Sequence, residues 1–122
     1  MKKLLVGLTL ALLIASPVVG KAGSSITAPD GLSFGDSFTV EFTPPNHYNG
    51  GLWARGECHN ADGIAWVQYV NLDDTSTQDG PFVLGPTPSW SGGGADCTVT
   101  LLVLNGYHAD RELATDAFSV GP

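Results

Sequence analysis

Beyond residue 22 the apolar side chains recur at every second position over short stretches, and no helical period of three to four is sustained. The clearest case is Ser37 to Thr43, where Phe38, Val40 and Phe42 alternate with Ser37, Thr39, Glu41 and Thr43. Such alternation predicts a strand with one face on a core. Pro44-Pro45 ends it, because proline has no amide hydrogen to give to a ladder, and Asn46 to Gly51 follows as a polar loop. A weaker run, Ser25 to Ala28, precedes it and stops at the turn residues Pro29-Asp30-Gly31.

The third and fourth runs are Leu52 to His59 and Ile64 to Asn71. The link between them, Asn60-Ala61-Asp62-Gly63, is short and predicts an antiparallel hairpin. On the third strand Leu52, Ala54, Gly56 and Cys58 share a face opposite Trp53, Arg55, Glu57 and His59. On the fourth, Ile64, Trp66, Gln68 and Val70 oppose Ala65, Val67, Tyr69 and Asn71. Neither pattern has one cleanly apolar face, so aromatic residues are expected outside as well as inside. Leu72 to Gly80, with Asp73, Asp74 and Asp79, reads as an acidic loop. Phe82 to Leu84 is a short fifth strand closed by Gly85-Pro86-Thr87-Pro88, and Trp90 with Gly92-Gly93-Gly94 leads into a sixth, Cys97 to Asn105. After a polar loop from Gly106 to Glu112, the seventh runs from Ala114 to Val120.

Seven short strands separated by Gly, Pro, Asn, Asp and Ser clusters predict an all-β domain. The expected form is an immunoglobulin- or fibronectin-like β-sandwich with one disulfide, in preference to an eight-stranded ligand barrel. Cys58 lies on the third strand and Cys97 on the sixth, and these strands are neighbours within one sheet in such topologies. The bridge is therefore expected to brace one sheet. In antibody domains it joins the second and sixth strands across the core.

The N-terminal stretch is read separately from the fold. Lys2 and Lys3 precede an apolar run from Leu4 to Ile14, and Ser16, Pro17 and small residues follow. That run is too short for a helix crossing about 30 Å of hydrocarbon, and the pattern is that of a secretory signal peptide over 1–22, cleaved after Gly20 or Ala22. Residues 23–122 then form the single domain, secreted, extracellular or in the cell envelope, with no membrane span. Of the five basic side chains, cleavage after Gly20 leaves Lys21, Arg55 and Arg111 against twelve acids, so the formal charge goes from −7 to −9. Nucleic acid is excluded as a partner on that charge, since phosphates need neutralising. In an oxidising compartment the two cysteines are expected to pair. Their separation of 39 residues corresponds to a stabilisation of about 4 kcal/mol in the chain-entropy picture.

The segment Phe82-Val83-Leu84-Gly85-Pro86-Thr87-Pro88-Ser89-Trp90, then Gly93-Gly94-Ala95-Asp96-Cys97-Thr98, together with Leu52-Trp53-Ala54-Arg55-Gly56-Glu57-Cys58, resembles small secreted or phage-encoded immunoglobulin-like proteins of actinobacteria. The likeness runs from about Phe38 to Val120. It implies a fold and a compartment and transfers no catalytic residues.

Chemistry-bearing patterns are sparse. His47, His59 and His108 lack ligand spacing, and a zinc site would need more thiolates. No Gly-x-Ser-x-Gly elbow is present. Asp73, Asp74 and Asp79 do not follow the calcium-loop spacing of an EF-hand, and calcium binding by that loop is left open. No catalytic residue, metal or cofactor is expected. Trp66 and Trp90 are assigned to the core, and Trp53 to core or surface equally. Aromatic residues with arginine are enriched at interfaces, so Trp53, Arg55, Tyr69 and Tyr107 form the candidate binding surface. The expected function is a non-enzymatic, monomeric module binding an extracellular protein or glycan. The alternative is a secreted enzyme inhibitor presenting Gly85 to Gly94.

Overall fold

The computed structural model describes residues 23–122 except 49, 73–77, 79, 106 and 107, and of residues 105 and 108–110 only the backbone. The leader assigned to 1–22, Tyr107 and the acidic trio Asp73, Asp74 and Asp79 lie outside the described residues.

The domain is all-β, with nine strands among the described residues. They are β1 (Ser25–Thr27), β2 (Leu32–Ser33), β3 (Ser37–Phe38), β4 (Glu41–Thr43), β5 (Gly51–Asn60), β6 (Gly63–Leu72), β7 (Phe82–Val83), β8 (Ala95–Asn105) and β9 (His108–Gly121). Five of them form a mixed sheet in the order β2-β9-β8-β5-β6, in which only the β2–β9 pair is parallel. The ribbons β1-β4 and β3-β7 lie over one face of this sheet, and the whole curls into a half-barrel. Ile26 and Phe42 from one ribbon and Phe38 and Phe82 from the other meet Leu52, Trp66, Val70, Val99, Leu101 and Leu113 of the large sheet in a single core.

The predicted hairpin of the third and fourth runs is present as β5 and β6, closed by only two residues, Ala61 and Asp62. The disulfide joins β5 to β8 at directly opposed positions, Cys58 facing Cys97 with 4.0 Å between Cα atoms. It braces one sheet, as the strand assignment implied.

Several expectations are corrected. The second predicted strand is broken into β3 and β4, which pair with β7 and β1 respectively. At the break the Val40 amide donates to the Gln78 side chain (2.9 Å) instead of to a strand. β2 was not anticipated, since two residues are too few to show alternation. The polar stretch Gly106 to Glu112 is mostly strand: β9 starts at His108 and pairs back along β8, with Arg111 opposite Val103. Backbone pairing with β8, which any side chain tolerates, makes this stretch a strand. β5 does have a clean dry face, because Leu52, Ala54, Gly56 and Cys58 are all buried. Its small residues are matched by large rings from neighbouring strands. A Cβ on Gly56 would come within 2.5 Å of the Trp66 ring and 3.1 Å of Phe82.

Those rings form a continuous aromatic chain. Phe38 stacks on Phe82 (5.1 Å between centroids) and meets Phe118 edge-on, while Trp66 meets Phe82 edge-on. Trp66 and Trp90 are both core residues. Trp90 anchors the Gly85–Gly94 segment: its backbone pairs with Thr87, its indole N–H donates to the Gly93 carbonyl, and Phe34 packs against it at 4.9 Å. Gly85, at φ +77°, passes so close to Phe34 that a Cβ would lie 2.5 Å from the ring.

Candidate functional site

The face of the large sheet turned away from the core carries three of the four predicted surface residues. Register places Trp53 beside Asn71 and Leu102, and Arg55 beside Tyr69 and Thr100, with Thr115 next in the same row. Trp53, Arg55 and Tyr69 are therefore one patch across β5 and β6. The fourth, Tyr107, lies outside the described residues.

Trp53 is half-buried, with its indole over Gly51. Its cross-strand neighbour Leu102 is fully buried although it belongs to the outer face and not to the main core. Arg55 is held firmly. Its Nη2 donates to Glu112 Oε2 at 3.0 Å, and its buried Nε, which makes no hydrogen bond, lies 3.9 Å from Glu57 Oε1. Burial works against the guanidinium charge. Hydrogen bonds to Glu112 and to Tyr69, with the Glu112 charge, outweigh that and raise the Arg55 pKa above its ordinary value. A raised pKa on an already strong base leaves Arg55 charged throughout the neutral range, so this interaction contributes no pH dependence there. Further along β5, His59 Nε2 contacts Glu57 Oε2 at 2.6 Å.

No family model, curated protein or solved structure matches the chain.

The structure adds one residue that the alternation pattern did not assign to this surface, Ile64, and removes Ala65, which is buried. A β-bulge between Cys58 and His59 and their partners sets Ile64 opposite His59 and Trp66 opposite Cys58, leaving Ala65 between them. The extra residue flips Ile64 from the core face, where strict alternation placed it, to the outer face with Val67 and Tyr69. Their exposures are 58%, 45% and 44%, and the remaining large exposed hydrophobic among the described residues is Val83 on β7, at 43%. Val83 is separate from that stretch: it lies on the β3-β7 ribbon with Phe82 turned to the core, and its amide meets Gln68, a residue of the core-facing row of β6.

An open depression of about 550 Å³ lies at the end of the sheet, lined by His59, Asn60, Asp96 and Ser119 among others. Among the described residues no three His, Cys, Asp or Glu side chains converge on a common point. No helix among them is long and apolar enough to cross a membrane.

Proposed function

We propose that the chain is an exported, non-enzymatic immunoglobulin-like module that binds a protein or glycan at the cell envelope or outside the cell. The observation that carries this reading is the patch itself: Trp53, Arg55, Tyr69, Ile64 and Val67 gathered on a sheet that a disulfide braces. Surfaces held pre-formed on a braced sheet lose little freedom on binding. The immunoglobulin-like assignment is supported by strand order. The run β9-β8-β5-β6 corresponds to strands G, F, C and C′ of a variable-type sandwich. β1, the broken β3/β4 pair and β7 correspond to A, B and E. The resemblance to actinobacterial secreted proteins agrees with this order and with a bridge formed outside the reducing cytoplasm. The inhibitor alternative has less support, because Gly85 to Gly94 is folded into a closed turn on Trp90 and is not an extended strand.

Affinity capture tests the reading. The oxidised chain, immobilised, should retain a protein or polysaccharide from the secreted or wall fractions of its source. Tyr69→Ala should lower that retention at least tenfold while leaving the thermal midpoint within a few degrees. Retention of nothing above an unrelated acidic domain would discard it.

A further inference from the structure

Resting on the binding-module reading, we infer that the occupant of this face is a protein with an aliphatic contact centre bordered by lysine or arginine. Of the four large, exposed hydrophobic side chains among the described residues, three lie together on the outer face of β6: Ile64, Val67 and Tyr69. Scattered single apolar residues are ordinary on a surface, whereas their collection in one strip marks a contact site. Two of the three, Ile64 and Val67, are aliphatic and β-branched. They offer a sugar neither a stacking ring nor a hydrogen bond, and Trp53 is half-buried over Gly51. The strip therefore fits protein side chains better than a glycan.

Charge selects the kind of protein. On the same face, or at the turn that ends it, stand Glu57, Asp62, Asp96 and Glu112; the single lysine or arginine there among the described residues, Arg55, is already engaged by Glu112 and Glu57, and His59 contacts Glu57. What this face has left to offer a partner is negative. A second copy would bring like charge against like, and an anionic polymer or lipid surface would be repelled in the same way. A basic rim on the partner meets these carboxylates, which speeds encounter and fixes orientation more than it adds affinity.

Selection of the oxidised full chain against a random dodecapeptide library displayed on phage supplies the test. Enriched peptides should combine aliphatic residues with lysine or arginine. As synthetic peptides they should bind several-fold more weakly in 500 mM than in 50 mM sodium chloride. Val67→Glu separates docking on the strip from plain charge attraction. It adds a negative charge and would strengthen a purely electrostatic association, but it should weaken docking on the strip at least tenfold. Enriched peptides that lack basic residues, that bind Val67→Glu as well as the parent, or that fail to rise above that variant as background would overturn the inference. So would binding of cellohexaose or chitohexaose abolished by Val67→Glu, an outcome that leaves the broader binding-module reading standing.

Discussion

At the scale of single residues, the two faces of β5 divide two tasks. Gly56 is the smallest possible residue at a point where Trp66 and Phe82 converge, with ring atoms 2.5 to 3.1 Å from where a Cβ would sit. Two residues earlier in the alternation, Ala54 is fully buried under the same sheet. One position to either side of Gly56, Arg55 and Glu57 build the charged network of the outer face. Gly56→Ala should therefore strain the core and lower stability by about 1–3 kcal/mol, read from the urea midpoint at unchanged slope. Trp66→Phe removes the ring atoms nearest that Cβ. Combined with Gly56→Ala it should cost less than the two single changes added together, as expected for residues in direct contact. Strict additivity in that cycle would mean the aromatic contact is not what keeps position 56 free of a side chain.

At the scale of strands, much of the architecture follows from period-two patterning. β5, β6 and β8 lie close to their predicted spans, and the Cys58–Cys97 bridge joins the adjacent strands that the count of runs indicated. What escaped detection has specific physical causes. Alternation locates a strand but not a bulge, so the reversal of Ile64 to the outer face had no signature in hydrophobicity alone. A two-residue parallel strand such as β2 has too few positions to alternate, and the polar start of β9 is held by backbone pairing in a hairpin, which any side chain tolerates. The patch was half legible: Trp53, Arg55 and Tyr69 stand out by residue type and Val67 shares the Tyr69 face by alternation, whereas Ile64 required the register. The bridge also lends itself to a direct test. Cys58 is fully buried and Cys97 nearly so, so a thiolate has no route to either sulfur while the sheet is intact. Dithiothreitol should leave the bridge closed in buffer and open it only at denaturant concentrations that unfold the domain, followed by mass after alkylation. Replacing both cysteines by serine should lower stability by up to about 4 kcal/mol.

At the scale of the whole molecule, the question is what covers the backbone of an edge strand as long and as apolar as β6. An exposed, extended edge is a template for association. Here the edge is met by Gln78 and by residues 80–90. Leu72 forms a bridge with Gln78, the Gln68 amide group donates to the Pro81 carbonyl and accepts from the Val83 amide, and Thr87 Oγ1 donates to the Ala65 carbonyl at 2.6 Å. At the other end, Phe34 donates to Gly121 and Gly35 to Leu84, so residues 34–36 tie the β2–β9 margin to the β3–β7 ribbon. Side chains and short turns thus complete a perimeter that continuous strands leave open. The Gln68 clasp is the weak link, because one amide group serves two backbone partners. Gln68→Ala with Thr87→Ala should keep the core, whose residues are untouched, yet free the β6 backbone for pairing. The parent should run as a monomer in size-exclusion chromatography with light scattering, at concentrations where the double variant shows a dimer or larger species that grows with concentration. A double variant that remains monomeric, with unchanged protection of the β6 amides against hydrogen exchange, would show that the clasp is dispensable and that the outer-face charge alone keeps the copies apart.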